Sequence, residues 1–325
     1  MEILTNPHID FLGKAKYFMA MSLVFLLGGG ALMWTRGISY GVEFSGGTQL
    51  ILHLQNRPEI DKVRSAVDKV GTGAVIQTYG DPRQNKVLVR VAQQAPENDL
   101  DAPARALRQA LARDYAQNPV LESSSEIVGP LVGADLRQKA IWLTVLGLLG
   151  QLVYIGIRFR GGAWGAGAAI AGLHDILISL GFLTLFHYEI TLNVIAALLT
   201  LVGYSVNDTV VVFDRVRENI GKRRKDPLPQ ILNDSMNQTL ARTLISSGTT
   251  FLAVLALFIF GGEVLRGFSF TMVIGVLVGT YSTVFIAAPL VNWWYQRRGG
   301  LGGMEVAKSP AKPAARAQPR AKATA

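Results

Sequence analysis

The 325-residue sequence predicts a polytopic α-helical membrane protein with six transmembrane helices and one α+β domain between helices 1 and 2. Half of the residues are hydrophobic and only 17% are charged, whereas soluble domains usually carry a charge on about a quarter of their residues. The hydrophobic residues also cluster in six stretches that approach the roughly 20 residues a helix needs to cross a bilayer. One segment of balanced charge separates the first stretch from the other five, and it predicts the α+β domain.

The six predicted spans cover residues 17–34, 140–157, 163–186, 190–213, 241–260 and 268–294. The first could instead be a cleaved signal peptide, because Lys14 and Lys16 precede it. Its apolar core is longer than that of a typical signal, and the segment after it, from Trp34 to Gly37, lacks the small-x-small cleavage pattern. We therefore expect a retained transmembrane helix.

Basic residues set the predicted orientation. Basic residues precede span one (Lys14, Lys16), lie in the loop between spans two and three (Arg158, Arg160) and follow span six (Arg297, Arg298). Six more lie in the loop between spans four and five (215–225), whereas the alternate short loops contain few. The positive-inside rule then places both termini in the cytoplasm of an inner-membrane protein. The net charge of +9 therefore reflects orientation in an anionic membrane and not a nucleic-acid partner.

The domain plan that follows has five parts: a cytoplasmic segment (1–16), helix 1 (17–36), an extracytoplasmic α+β domain (41–135), helices 2–6 (138–296) and a basic cytoplasmic tail (297–325). The tail is rich in Ala, Pro, Lys and Arg and has few large apolar residues, so we expect it to be disordered. Two roles remain open for it, a solvated tail beside the membrane or contact with ribosome or lipid headgroups.

The α+β domain shows alternating and helical patterns in a recognisable order. Strands are predicted at 48–54, 74–79, 86–92 and 120–128, helices at 58–70 and 101–116, and a turn at 80–85. Asp101 is the expected cap of the second helix, with Pro103 in its first turn. The order β-α-β-β-α-β predicts a ferredoxin-like arrangement. His53 is the only histidine there and is expected to be structural.

The sequence gives no indication of an enzyme. It has no cysteine, which excludes disulfides, thiol chemistry and cysteine-ligated metals. It also lacks a phosphate-binding loop, a metal-ligand cluster and a nucleophile motif. We therefore expect no catalytic residues, no cofactor and no metal.

Two motifs go beyond general membrane patterning. The first is Gly41-Val-Glu-Phe-Ser-Gly-Gly-Thr48, which contains Glu43, Phe44, Gly46 and Gly47. Its paired glycines permit positive φ angles or close backbone approach, although an ordinary tight turn into a strand would also explain them. The second motif runs from Val202 to Asn219 across the end of span four and reads VGYSVNDTVVVFDRVREN.

Both motifs resemble those of the SecD/SecF family, which belongs to the resistance-nodulation-division transporter superfamily. Residues 173–181 and 237–247 are similar to further family elements, and the resemblance extends over about residues 9–296. Glu43 departs from the family's more usual aspartate but keeps the charge. The tail lies outside the resemblance.

The resemblance implies a function and a set of partners. It implies a membrane subunit that pairs with SecD as a heterodimer of twelve helices and uses the proton-motive force to assist preprotein translocation through SecYEG. YajC and YidC are implied as further partners, preproteins as substrates and membrane lipids as surroundings. Two alternatives are weighed against this function: half of a proton-coupled exporter of the same superfamily, and a passive scaffold of the translocon.

Asp208 is the leading functional candidate, because a carboxylate inside a span costs free energy and usually serves a function. It lies about one turn before the cytoplasmic end of span four, and Tyr204 and Ser205 share its helix face. Arg242 enters span five from the same side, and Ser246 and Thr249 continue its face. These polar stripes lie at similar depth, so we expect them to face each other.

From this placement we predict that Asp208 exchanges a proton while it pairs with and separates from Arg242. A permanent structural ion pair is the alternative. The resemblance also points to these two positions as the functional ones, and replacing Asp208 by asparagine would separate the two roles.

Other polar residues of the spans are secondary candidates. Asp175 and the adjacent His174 lie in the middle of span three, where they either face a partner in SecD or form a structural hydrogen bond between helices. Asn207 is expected to hydrogen-bond across helices. Asp214 and Arg215 are expected to anchor the helix at the membrane edge.

Span six carries a small-xxx-small pair, Gly275 and Gly279. This spacing favours close helix packing and not chemistry.

Overall fold

A computed structural model of the chain describes residues 7–70, 74–80, 82–91, 101–159, 162–223 and 225–297. Residues 1–6, 71–73, 81, 92–100, 160–161, 224 and the basic tail from 298 onwards lie outside this description; they include the last residue of the predicted strand 86–92 and one residue of the predicted turn 80–85.

The helices and strands follow one another in the predicted order. Before and within the α+β domain they are α1 (Phe11–Arg36), α2 (Val42–Ser45), β1 (Gly47–Leu54), α3 (Ile60–Val67), β2 (Val75–Tyr79), β3 (Lys86–Val91), α4 (Ala102–Asp114) and β4 (Val120–Val128). After it come α5 (Pro130–Phe159), α6 (Gly162–Leu185), α7 (Leu192–Lys222), α8 (Leu228–Phe260), α9 (Glu263–Ser282), a π-helical segment (Thr283–Ala287) and α10 (Ala288–Arg297).

Six helices of the described residues are long and apolar enough to cross a membrane, as predicted. They are α1, α5, α6, α7, α8 and the continuous helix formed by α9, the π-helical segment and α10, which we call span six. We use "domain end" for the end of this bundle that carries the α+β domain, and "opposite end" for the other.

Two helices extend well past their apolar cores at the opposite end. The predicted spans stop at residue 213 and resume at 241, but α7 continues to Lys222 and α8 begins at Leu228. The extra turns are polar, and they satisfy one another: Asn219 Nδ2 donates to Ser235 Oγ (2.8 Å) and to Gln238 Oε1 (2.9 Å). Hydropathy detects only the apolar part of such a helix, which explains the difference.

Three helices form the centre of the bundle. In the most apolar windows of α6, α7 and span six, 56%, 50% and 67% of the residues are buried, against 11% in α1, α5 and α8. The outer helices present large apolar side chains outward, as Leu143 and Leu146 do on α5. Such large apolar surfaces are unfavourable in water, so a bilayer or a partner protein would cover them.

Glycines allow the closest helix contacts. A Cβ atom added at Gly275 would lie 2.5 Å from Leu201, and one at Gly279 would lie 3.1 Å from the Cβ of Ser205, so span six packs tightly against α7. This is the small-xxx-small packing predicted for span six. A second close approach joins α1 to α6, where a Cβ at Gly181 would lie 2.9 Å from the Cα of Gly29.

The α+β domain is a four-stranded antiparallel sheet with the strand order β2-β3-β1-β4. Its separate core contains Leu50 and Leu52 of β1 together with Val63 of α3 and Leu107 of α4, so both helices cover one face of the sheet. The predicted β-α-β-β-α-β order is therefore observed, and the ferredoxin-like assignment stays a prediction. Asp101 stands at the N-cap position of α4, although its side chain accepts no capping hydrogen bond.

The first motif forms a single helical turn that leads into β1. Gly41 precedes α2, Phe44 is buried, and Gly46 and Gly47 both have positive φ angles (69° and 123°). A side chain would strain the backbone there. Close approach is required as well, since a Cβ at Gly133 of α5 would lie 3.0 Å from the nitrogen of Gly46.

Candidate functional site

A cluster of polar side chains lies in the centre of the bundle. Its members are buried among apolar neighbours and come from α6 (His174, Asp175), α7 (Ser205, Asp208, Thr209), α8 (Thr243, Ser247) and span six (Ser282, Thr283). Tyr281 and Ser22 extend it to α1. We call this set the polar centre. Five helices thus converge on two carboxylates, Asp175 and Asp208.

Asp175 is the more completely enclosed carboxylate, with no exposed surface. Its Oδ2 accepts hydrogen bonds from Ser205 Oγ (2.6 Å) and Ser282 Oγ (2.9 Å), and its Oδ1 lies 2.9 Å from His174 Nδ1. The partners of Asp175 therefore lie in this chain, so the SecD partner considered for it from the sequence is not needed to satisfy its oxygens. The structural hydrogen-bond alternative describes the observed contacts.

The hydrogen bonds continue from Asp175 towards α1. His174 Nε2 lies 3.3 Å from the hydroxyl of Tyr281, which in turn lies 3.0 Å from Ser22 Oγ. The ring of Tyr281 also packs edge-on against the imidazole, with 5.7 Å between centroids. A continuous chain of polar contacts thus joins α1, span six, α6 and α7.

Asp208 is buried on the α7 face that packs against α8, where Ser247 Oγ donates to its Oδ2 (3.1 Å). Beside Asp208 in sequence, Thr209 of α7 has its hydroxyl oxygen 2.9 Å from that of Thr283, at the start of the π-helical segment. π-Helical turns are often found at functional sites.

The contacts of Asp208 differ from the predicted ones. Among the described residues no basic nitrogen lies within 4.0 Å of Asp208; Arg242 is exposed on α8, but it is close enough for its charge to act on that carboxylate at longer range. Ser246 and Thr249 direct their hydroxyls to carbonyl oxygens of their own helix. Ser247 instead occupies the place expected for Ser246, because one residue along a helix turns the side chain by about 100°. Whether Asp208 and Arg242 form a proton pathway stays a prediction.

The remaining candidates on α7 lie either in the middle of the helix or near the opposite end of the bundle. Tyr204 is half-buried, and its hydroxyl has no hydrogen-bond partner in the described part of the chain. Asn207 is exposed and points out of this bundle. At the opposite end, Asp214 accepts from Arg158 of α5 (2.6 Å), and Arg215 donates to Gln238 of α8 (2.6 Å). These two residues thus link neighbouring helices as well as lying at the edge of the apolar core.

An apolar groove of about 360 Å³ runs beside the polar centre, between α8 and span six. Thr243 and Ser247 line it, together with Leu244, Leu277 and Tyr281. The hydroxyl of Thr243 is buried without a hydrogen-bond partner among the described residues. Ser247, which donates a hydrogen bond to Asp208, is therefore reached from this groove.

Several members of the polar centre were missed by the sequence prediction. Ser282, Thr283 and Tyr281 all lie in span six, which was expected only to pack. Their spacing to Gly279 offered a signal, since Ser282 and Thr283 follow one turn after a glycine that admits a close neighbour. Among the described residues, no group of three or more His, Cys, Asp or Glu is placed to hold a metal ion.

A bundle of six apolar helices with carboxylates in its centre and an inserted α+β domain defines a polytopic membrane protein of the transport class, because intramembrane acidic groups usually mark such a function. Residues 108–297 match the family described as protein export membrane protein SecD/SecF, C-terminal, and residues 31–56 match the SecD/SecF GG motif.

Relatives of known name cover nearly the whole chain. The protein translocase subunit SecF of Koribacter versatilis is 37% identical over 93% of this chain and 95% of its own length. That of Calditerrivibrio nitroreducens is 42% identical over 90% and 96%, respectively. The chain thus belongs to the SecD/SecF family. Both of these relatives are named as SecF subunits.

A solved structure supports the fold. The crystal structure of SecDF from Thermus thermophilus, a translocon-associated membrane protein, is similar with a TM-score of 0.80 and 34% identity. The match covers 90% of this chain but only 39% of that chain. A second structure of SecDF, in a super-membrane-facing form, matches with a TM-score of 0.66.

Proposed function

We propose that this chain is the SecF subunit of the Sec protein-export machinery and that, with SecD, it forms a unit driven by the proton-motive force. This unit assists preprotein translocation through SecYEG. The proposal depends most on one observation, the buried carboxylate of Asp208, which has a single hydrogen bond from Ser247 and no cation within 4.0 Å among the described residues. An ionised carboxylate that contacts no cation costs free energy inside a membrane, and protonation of Asp208 would remove that charge.

Proton exchange at Asp208 can be coupled to helix movement through Arg242. When the carboxylate is charged it attracts the guanidinium, and when it is protonated the attraction is lost. Arg242 is exposed, and its charge acts on Asp208 from beyond 4.0 Å, so a change of its side-chain conformation or a small rotation of α8 would bring the two groups into contact. Alternation between the paired and separated states would rock α8 against α7.

The surroundings of the subunit follow from the same proposal. The chain lies in the inner membrane with both termini in the cytoplasm, and its exposed apolar helix faces contact lipids and SecD. YajC and YidC are further partners, and preproteins are the substrates. A nucleic-acid partner is not proposed, because the basic residues lie where membrane orientation requires them.

The test is an export assay in inverted membrane vesicles that carry the assembled complex. Asp208→Asn should remove the part of preprotein export that depends on the proton-motive force, while complex assembly and export without that force stay unchanged. Asp214→Asn is the matched control, since it makes the same chemical change on α7 at a partly exposed ion pair with Arg158. It should export like the wild type.

The outcomes separate the alternatives. Undiminished proton-driven export by an assembled Asp208→Asn complex would favour a passive scaffold. Transport of a small molecule or lipid by this chain without the channel would favour a proton-coupled exporter half.

A further inference from the structure

Among the described residues, the α6–α7 loop forms hydrogen bonds to the α+β domain in addition to the domain's two covalent connections. The short loop between α6 and α7 meets the segment that joins α1 to the domain, and Arg90 of β3 reaches down to both. We call this set of contacts, formed by Ser39, Tyr40, Gly41, Arg90 and residues 189–190, the joint.

Backbone hydrogen bonds form the first part of the joint. The amide of Gly41 donates to the carbonyl of Ile190 (2.8 Å), and the amide of Ile190 donates to the carbonyl of Ser39 (2.8 Å), so Tyr40 and Ile190 form a parallel β-bridge. The segments are close enough that a Cβ at Gly41 would lie 2.9 Å from Thr191, which caps the start of α7. The connecting segment is thus fastened to the first turn of α7.

Arg90 forms the second part. Its guanidinium donates to the carbonyl of Tyr40 (3.1 Å), to Gln49 Oε1 (3.0 Å) and to the carboxylate of Glu189. The side chains of Arg90 and Glu189 are only 12% and 19% exposed, so this ion pair is better shielded from water than an ordinary surface pair. β3 is an inner strand of the sheet, and Arg90 therefore connects the loop to the middle of the sheet.

A second carboxylate, that of Glu126, lies near the same arginine. Gln49 pairs with Arg90 on one side and with Glu126 of β4 on the other, so the three side chains form a row on one face of the sheet. Burial raises the pKa of Glu126, nearby Glu43 raises it further, and Arg90 opposes both. Arg90 thus offsets two carboxylates at the joint, those of Glu189 and Glu126.

We propose that Arg90 is a positioning residue that fixes the α+β domain to the α6–α7 hairpin, so that domain and hairpin move as one body. α6 carries Asp175, and α7 carries Ser205 and Asp208, so any shift of these helices passes directly to the domain. Only the consequence for export rests on the proposed function. The docking itself can be measured without it.

The first experiment measures docking by hydrogen exchange of the full chain in its membrane complex. Arg90→Ala should speed exchange at the amides of Gly41 and Ile190 by on the order of tenfold, because bonds to a charged group are lost. Arg90→Lys should give an intermediate rate, since it keeps the charge but not the fork of donors. Arg57→Ala, at an exposed arginine of the same domain, should match the wild type. Unchanged exchange in Arg90→Ala would overturn the proposal.

The second experiment replaces the arginine by a covalent link. The chain has no cysteine, so Tyr40→Cys with Ile190→Cys introduces the only pair, at bridge partners whose spacing suits a disulfide. We expect Arg90→Ala to lower proton-driven export, and oxidation of the cysteine pair in the Arg90→Ala background to restore it. Reductant should abolish the rescue.

The outcomes are distinct for the two proposals. If oxidation of the pair in an otherwise wild-type chain stops export and reductant restores it, the joint must open during transport and the one-body proposal is wrong. If the disulfide forms in Arg90→Ala but export is not restored, fixing the joint does not account for the role of Arg90, and the positioning proposal is wrong. Failure of the proposed function would show differently, as export that does not depend on this chain while the exchange rates still respond to Arg90→Ala.

Discussion

Replacing Asp175 by alanine removes the group on which three helices converge. The carboxylate accepts from Ser205 of α7 and Ser282 of span six and contacts His174 of its own helix. Side-chain hydrogen bonds between membrane helices average about 0.6 kcal/mol each and reach about 1.7 kcal/mol. The two interhelical bonds, from Ser205 and Ser282, therefore predict a loss of roughly 1–3.5 kcal/mol. The side chain is fully buried, so lost packing adds to this value.

The assay is thermal unfolding of the purified chain in detergent, monitored by the loss of its near-ultraviolet circular dichroism signal. Ser179→Ala is a matched control, since Ser179 lies one turn further along α6 and is equally buried. Its hydroxyl has no hydrogen-bond partner among the described residues, so its removal should leave stability unchanged or raise it slightly. Equal melting temperatures for Asp175→Ala and Ser179→Ala would refute the view that Asp175 holds the bundle together.

A double-mutant cycle locates the energy. If Asp175 and Ser282 act through their mutual hydrogen bond, Ser282→Ala should cost much less in the Asp175→Ala background than in the wild type. Strict additivity of the two changes would mean that each contributes through packing alone.

Two further predictions follow. Gly181→Leu on α6 should sharply lower the folded yield, because a Cβ there would lie 2.9 Å from the backbone of Gly29 on α1. Gly30→Leu, beside Gly29 on α1, meets open space and should be tolerated; size-exclusion profiles in detergent check both. In the α+β domain, the hydrogen bond from Arg113 is the main reason why the pKa of Asp114 is lowered to about 2. A lowered carboxyl pKa stabilises the fold above the usual value near 4 and stops doing so as the pH falls towards 2. Asp114→Asn should therefore lower the melting temperature slightly at pH 7, and the difference should disappear as the pH falls through about 2.

The overall architecture could be predicted because two strong patterns determine it. Six apolar stretches gave the six spans, and alternation with turn residues gave the domain strands, of which 120–128 matches β4 residue for residue. Helix ends were less accurate where polar turns continue a helix beyond the bilayer, as at Lys222 and Leu228. There the stabilising partner is the facing helix, which hydropathy does not reveal.

The sequence indicated at which level along their helices the candidate residues lie, but not the direction in which their side chains point. The motif correctly singled out Asp208 as a buried carboxylate of α7, yet the facing residue on α8 is Ser247 and not Ser246. Hydropathy fixes the level of a residue in the membrane, whereas its direction depends on how helices rotate about their own axes. Asp175 was underrated for a related reason, since two of its partners, Ser205 and Ser282, lie 30 and 107 residues away in sequence.

The distance between the joint and the polar centre gives the hairpin the properties of a lever. Ser205 lies about 20 Å along α7 from its first residue, Leu192, at a rise of about 1.5 Å per residue. With the fulcrum at Ser205, a tilt of about 5° would carry the loop at Glu189 through roughly 1.5–2 Å over that arm. A small angular change at the carboxylates therefore becomes a displacement of atomic size at the base of the domain, and it grows further with height above the membrane.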